Sequence, residues 1–318
     1  IPLFTSLDTA NALANALTSR YSLGNVELVD INNMRTKHKK LTFTKMRGTG
    51  NDYLYFDCFD QTVESPESLA VRLSNRRTGV GSDGIVLIMP STIADAKMRM
   101  FNADGTEGSV AGNALRCVCK YLYENGHVRK AEMAVETGSG VKTAKLFIRE
   151  DQVFSVLVDM GCPAFAPAKI PVKLDGDRVM MRPVFLAGEK REISCVSMGN
   201  PHVVIFVEDV NRIPLEQVGP QIETDSLFPE RVNVSFAQIV DKNDIVMRVW
   251  ERGIGETAAC GTGACAVAVA AVENGFCTRG ADIDVRLPGG TLVVRYQEDG
   301  KVWLTGDANT DFTGTIEI

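Results

Sequence analysis

At 318 residues with 45% hydrophobic content, the chain can bury two ordinary cores. Its net charge of −6 argues against a nucleic-acid or anionic-membrane partner, no apolar run approaches the ~18 residues of a membrane span, and no basic start followed by an apolar stretch reads as a leader. The cysteines at 58, 117, 119, 162, 195, 260, 265 and 277 form no CxxC pair, which indicates neither a zinc site nor a disulfide framework, and His38, His127 and His202 are too few for a His-rich metal site; a cytoplasmic enzyme with free thiols is the simplest expectation.

Residues 1–40 read as an N-terminal extension. Leu7, Ala10, Ala14 and Leu17 make Ser6–Arg20 a short amphipathic helix, and Met34 to Lys40 is a basic linker. Ile1 cannot initiate, so Met34 is a candidate start with added sequence before it. From Leu41 onward, Phe43–Met46 predicts a strand ending at Arg47-Gly48-Thr49-Gly50-Asn51-Asp52, with Tyr53–Phe59 extended beyond it. Ser65-Pro66-Glu67 opens a helix, with serine as cap and proline at the first helical position. Gly79–Gly84 turns into the strand Ile85–Met89, and Lys97–Phe101 alternates as a strand that delivers Asn102-Ala103-Asp104-Gly105 to its end. A helix follows from Gly112 to Asn125, then hairpin strands over Glu136–Asp159, and Gly161–Pro167 crosses to the remaining chain.

That remaining chain repeats the order. Ser194–Ser197 leads to Gly199-Asn200-Pro201-His202 and the strand Val203–Val207; Pro214–Glu223 is helical, and Val232–Ile239 is a strand carrying Asn233. Ile245–Trp250 alternates and presents Glu251-Arg252, an almost wholly apolar helix follows Cys260, and two strands flank Pro288-Gly289-Gly290. Such a helix must be buried on all sides.

The similarity extends to residues. Ala111–Gly126 reads AGNALRCVCKYLYENG and Cys260–Gly275 reads CGTGACAVAVAAVENG, a shift of 149 (111 to 260). The same shift carries Gly50-Asn51 onto Gly199-Asn200, Phe101 onto Trp250 and Glu107 onto Glu256. The expected fold is therefore α+β: two pseudo-symmetric domains, each a barrel-like, mostly antiparallel sheet around a central helix. Residues 41–159 with 306–318 make one and 160–305 the other. Two similar halves packed about an approximate twofold axis set equivalent loops face to face, here the two helix starts at positions 111 and 260. Free N–H groups and the helix dipole make such a start a place for a carboxylate and for an ionised thiol. An acid on one face of a bound α-carbon and a base on the other is what stereoinversion requires.

Cys260 is the candidate acid/base group; a cysteine hydrolase would need an oriented histidine, and only His202 is near in sequence pattern, without an orienting group. Gly112-Asn113 and Gly261-Thr262 are candidate carboxylate cradles. Asn51, Asn102, Asn200 and Asn233 each fall at a strand end or turn, where turn chemistry is the bland explanation. Converging on one cleft with Glu251 and Arg252, they would suit a zwitterion, because arginine takes a carboxylate and glutamate an ammonium. His202 either lines that cleft or is a structural loop residue.

These motifs, Gly50-Asn51-Asp52, Asn102-Ala103-Asp104-Gly105, Ala111-Gly112-Asn113, Gly199-Asn200-Pro201-His202, Asn233-Val234, Glu251-Arg252-Gly253 and Ala259-Cys260-Gly261-Thr262-Gly263, resemble those of the diaminopimelate epimerase family from Leu41 to the C-terminus. The resemblance implies a cofactor-independent, pyridoxal-free isomerase of two similar domains, interconverting LL- and meso-diaminopimelate for lysine and cell-wall synthesis. Two cysteines at the positions matching 111 and 260 would serve as base and acid. Asn51, Asn102, Asn200, Asn233, Glu251 and Arg252 would hold the substrate, and the N–H groups of Gly112, Asn113, Gly261 and Thr262 the reacting carboxylate. A homodimer is the assembly it leaves open. Alanine stands at 111, which reads as a disabled Cys-to-Ala variant, a natural divergent relative being the alternative. Arg47 replaces a frequent histidine and Gly84 a frequent glutamine. A racemase of another amino acid and a non-catalytic amino-acid-binding homologue are the competing readings.

Overall fold

A computed structural model describes residues 40–108 and 112–317. The expected helix over residues 6–20, the linker over residues 34–39 and position 111 lie outside the described residues. Chain order in the first half is β1 (Lys40–Gly48), β2 (Asn51–Asp57), α1 (Pro66–Ser74), β3 (Gly84–Met89), β4 (Ala96–Asn102), β5 (Glu107–Gly108), α2 (Gly112–Glu124), β6 (Glu132–Thr137), β7 (Gly140–Arg149) and β8 (Gln152–Asp159). The second half runs β9 (Arg182–Leu186), β10 (Glu189–Ser197), β11 (Pro201–Phe206), α3 (Leu215–Glu223), β12 (Asn233–Asp241), β13 (Asp244–Glu251), β14 (Gly255–Thr257), α4 (Gly261–Glu273), β15 (Asp282–Leu287), β16 (Gly290–Tyr296) and β17 (Val302–Gly306), before β18 (Asn309–Glu317). The class is α+β.

The internal repeat is a repeat of strand pairing. The parallel pair β2–β3 sets Tyr53 opposite Gly84, and the parallel pair β11–β12 sets His202 opposite Asn233, both residues displaced by 149 (53 to 202, 84 to 233). Antiparallel β3–β4 and β12–β13 keep that displacement, Ile85 facing Phe101 and Val234 facing Trp250. One inserted residue then raises it to 150: Glu132 faces Lys145 in the β6–β7 hairpin, and Asp282 faces Arg295 in β15–β16. Even a cross-strand ion pair recurs, Arg99 Nε to Glu107 at 2.7 Å and Arg248 Nε to Glu256 at 2.8 Å.

Each central helix fills its own core. On α2, Ala114, Leu115, Cys117, Val118, Cys119 and Leu122 are buried against the first half's strands. On α4, every residue from Gly263 to Ala271 is buried, as its uniform apolarity requires. A third cluster packs α3 against the far side of β10–β12. The sheet does not stop between the halves: β8 pairs antiparallel with β17 from Asp159↔Trp303 to Val156↔Gly306, and β18 returns to pair with β1. Leu41–Ile316 forms one compact unit. Two local expectations change. Ser65 precedes α1 but its side chain makes no capping bond, so the proline alone marks the start. The hairpin β9–β10 adds the strand Arg182–Leu186 where none was expected.

Candidate active site

The starts of α2 and α4 meet around one side chain. A Cβ placed on Gly112 would lie 3.6 Å from Leu304 Cδ2; one placed on Gly261 would lie 3.2 Å from the same atom and 3.6 Å from Asn113 Oδ1. Glycine at 261 eases this approach to Leu304, whereas a side chain at 112 would meet the same atom in ordinary contact. Cys260 caps α4 in extended conformation (φ −134, ψ 109), and Gly263 N–H donates to its Sγ at 3.4 Å. A Cβ on Gly263 would sit 3.2 Å from that sulfur, so glycine also makes room for it. Among the described residues, the N–H groups of Gly261 and Thr262 have no acceptor.

Burial works against ionisation of the thiol at this helix start. Cys260 is only 5% exposed, and burial pushes its pKa well up, with the Glu251 carboxylate adding to the rise. The Thr262 hydroxyl, 3.6 Å from Sγ, and Gly263 N–H pull the other way without prevailing. Desolvation outweighs the dipole. Glu251 is raised too, first by burial, while the hydroxyl of Thr257, donating at 2.5 Å, and Cys260 lower it. Cys260 thus rests as a thiol beside a carboxyl that holds its own proton more tightly than usual.

Behind Thr262 stands a second chain of bonds. Asn200 Nδ2 donates to Thr262 Oγ1 at 3.2 Å, and Asn200 Oδ1 lies 3.0 Å from His202 Nε2. With its amide nitrogen spent on threonine, Asn200 offers oxygen to the imidazole, so His202 carries its proton on Nε2. Its Nδ1 is buried without a partner. Burial, then the positive charge of Arg252, lowers the His202 pKa to about 3, which keeps the ring neutral.

On the α2 side, Asn113 Nδ2 donates to Asn51 Oδ1 at 2.6 Å, and Asn51 Nδ2 donates to Asp83 Oδ2 at 3.0 Å. Asp83 is held by Arg76 at 2.9 Å, which also grips Asp52. Asn51, Asn113, Asn200, Thr262, Gly261, Cys260 and Glu251 thus belong to one connected neighbourhood. Two further expected members lie on the strands beside it, Asn102 opposite Gly84 and Asn233 opposite His202. Asn102 Nδ2 is taken by Thr106 Oγ1 at 3.0 Å within its own turn, the bland alternative. Asn233 donates to Pro201 O at 2.8 Å and accepts from Arg252 N–H at 3.0 Å, which ties the end of β13 to the start of β11. Arg252 is exposed; its guanidinium donates to Glu230 O at 3.0 Å and, among the described residues, has no carboxylate within ion-pair distance. Sequence reasoning missed Asp83 and the buried Arg116, which bond to residues distant in sequence, and Thr257, which bonds Glu251 six residues away across a turn. A groove of about 830 Å³ opens elsewhere, over Leu157, Trp303 and Val293 at the β8–β17 junction. It contains none of these residues, and its charges are already paired, Lys145 with Glu132 and Arg295 with Asp282.

The model of the family described as diaminopimelate epimerase matches residues 43–166 and 194–310. The chain belongs to the diaminopimelate epimerase family. A diaminopimelate epimerase of Acetivibrio thermocellus is 48% identical over 279 residues, covering 87% of this chain and 99% of that protein. One from Desulfovibrio desulfuricans is 49% identical over 285 residues, with the same coverage. Diaminopimelate epimerase family membership makes the chain an isomerase. The fold is shared more widely: a Bacillus anthracis PhzF-family phenazine biosynthesis protein superposes with a TM-score of 0.65 at 19% identity, over 88% of this chain and 100% of the other. An Agrobacterium vitis hydroxyproline epimerase, solved with bound trans-4-hydroxy-L-proline, gives 0.58 at 16% identity over 90% and 94%.

Proposed function

We propose that this chain carries the site of a diaminopimelate epimerase that interconverts the LL and meso isomers without an organic cofactor or metal, and that alanine at 111 leaves it able to hold substrate but not to invert it. The observation that carries the reading is the meeting of two helix starts on Leu304, with the Cys260 thiol on one of them and two N–H groups beside it without acceptors. A carboxylate seated on those donors puts the attached α-carbon next to Cys260. In the two-thiol form, a thiolate at 111 takes the α-proton from one face. The electron pair left on carbon spreads into the carboxylate, whose growing charge the N–H donors stabilise. Cys260, resting as a thiol, returns a proton to the opposite face, and the reverse reaction exchanges the roles. Asn51, Asn102, Asn113, Asn200, Asn233, Glu251 and Arg252 hold the zwitterion and its second head.

In this reading residues 41–159 with 306–318 and residues 160–305 act as two domains enclosing the ligand, in a cytoplasmic enzyme without nucleic-acid partners, and a homodimer is its assembly. Arg47, which pairs with Asp311 at 3.3 Å, and Gly84, where a Cβ would fall 2.1 Å from Phe101 O, supply no side chain to the substrate's distal head. That favours, as a second reading, a racemase of another amino acid. The test is α-proton exchange in D2O, followed by NMR, on the Ala111→Cys chain with LL- and meso-diaminopimelate. Exchange with epimerisation is expected, with the alanine chain producing no second isomer. No exchange with either isomer would sink the diaminopimelate assignment; epimerisation by the alanine chain would sink the disabled state.

A further inference from the structure

Arg116 is a wholly buried cation to which, among the described residues, no carboxylate is bonded. Its Nε donates to the backbone oxygen of Asp307 at 2.9 Å, one terminal nitrogen to Thr49 Oγ1 at 2.7 Å and the other to Asn113 Oδ1 at 3.0 Å. Asp307 completes the ring from outside, accepting from Thr49 N–H at 2.9 Å and from its hydroxyl at 2.7 Å. Backbone walls fit the plane of the guanidinium: a Cβ on Gly306 would lie 2.7 Å from Arg116 Cζ, and one on Gly48 3.4 Å from a terminal nitrogen. In the internal repeat Arg116 matches Cys265, 149 residues on. Where the two helices meet, one half supplies a large fixed cation and the other a small thiol.

A buried charge this costly to desolvate needs a use. We propose that Arg116 is a positioning residue that sets the polarity of the amide chain Asn113–Asn51–Asp83, so that this side of the cleft presents N–H donors to a substrate carboxylate; this rests on the function proposed above. The logic is one of hydrogen-bond capacity. Arg116 can only donate, so Asn113 must turn oxygen toward it and nitrogen toward Asn51. Asn51 then accepts on oxygen and turns nitrogen toward Asp83, an acceptor. The cation at one end and the carboxylate at the other exclude the flipped arrangement of both amides. Each Nδ2 keeps a second N–H, uncommitted among the described residues. With the cation removed, Asp83 still holds Asn51, but the Asn113 oxygen loses its donor and that amide can turn, so a donor becomes an acceptor facing an anion.

The effect falls on turnover more than on binding, because negative charge on the carboxylate grows as the α-proton leaves. In the Ala111→Cys background, Arg116→Lys keeps the charge but loses the three-way fork. Arg116→Met keeps bulk without donors. Both are expected to lower kcat by about tenfold or more with a smaller change in KM. Arg116→Lys, with the milder effect, covers the case in which Arg116→Met does not fold. A variant that loses thermal stability but keeps kcat would reduce Arg116 to a packing residue and overturn the proposal. Neutron diffraction from deuterated crystals of the parent chain is the second arm: deuterium on the Asn113 nitrogen facing Asn51, and on the Asn51 nitrogen facing Asp83, is expected, and either amide in the opposite sense overturns it. If Ala111→Cys is inert toward both isomers, the proposed function fails, and the neutron arm still decides the polarity.

Discussion

His202 and Cys260 belong to one hydrogen-bonded chain, and burial shifts their pKa values in opposite directions toward the same neutral state: it keeps the imidazole unprotonated and the thiol protonated. The consequence for stability has a definite sign. The folded His202 pKa of about 3 lies below the ordinary 6.5, so between those values the unfolded chain binds a proton that the folded chain refuses. Stability is therefore lost as pH falls from about 6.5, by up to about 1.4 kcal/mol per pH unit. Carboxylates held low by ion pairs, such as Asp52 and Glu107, add acid lability only nearer their own ordinary range of 3.8–4.5. Glu251, raised instead, works with the opposite sign. Urea unfolding of the parent and of His202→Asn between pH 4.5 and 6.5 isolates the imidazole: the variant is expected to show the shallower pH dependence, and equal slopes would mean that the ring protonates while folded. At this scale the sequence was informative wherever a residue occurred twice in register. Asn51 and Asn200 stand 149 apart and both fall in the neighbourhood of the helix starts. Asn102 and Asn233 carry the same residue type, but their bonds run to a turn hydroxyl and to backbone, a distinction only three-dimensional neighbours make. Arg116 gave no sign at all, since an arginine in an amphipathic helix ordinarily reads as its solvated face.

Glu223 shows how an element away from the site disciplines one within it. It ends α3, is 5% exposed, and accepts from Trp250 Nε1 at 2.7 Å and from Gly253 N–H at 2.9 Å. Those donors flank Glu251 and Arg252, whose backbone is fixed on its other side by Asn233. The helix can come this close because position 219 is glycine: a Cβ there would lie 2.7 Å from the Trp250 ring. Glu223→Ala leaves two donors without their charged acceptor and is expected to cost about 2–3 kcal/mol, with Glu223→Gln costing less because one oxygen remains. The urea midpoint measures this, and a neutral Glu223→Ala would show that water replaces the carboxylate. Helix α3 and strands β12 and β13 were legible from apolar alternation and from the repeat. Its use as a buttress was not, because the glutamate that does it is a charged residue at a helix end, ordinarily solvent-facing.

The whole molecule joins its halves in ways that the repeat does not disclose. A repeat describes what each half shares, whereas the seam is made of what they do not share: β8 paired with β17, Gly50 against Gly289, and Met160 packed against both central-helix cores. At Gly289 a Cβ would lie 3.0 Å from Gly50 Cα, so two turns from different halves touch backbone to backbone. Removing either half strips β8 or β17 of its ladder partner and opens the apolar surface under Met160 and Leu304. Unfolding of 41–316 is therefore expected to be a single transition, although the sequence reads as two similar units. The buried thiols provide a probe in each core: Cys117 and Cys119 in the first half, Cys195 and Cys265 in the second, none of them exposed and all with pKa values driven up by burial. Labelling by a thiol reagent through a urea series should expose all four at one midpoint, coincident with the loss of far-ultraviolet circular dichroism. If the first-half pair instead reacts at a lower urea concentration than the second-half pair, the seam is too weak to couple the cores.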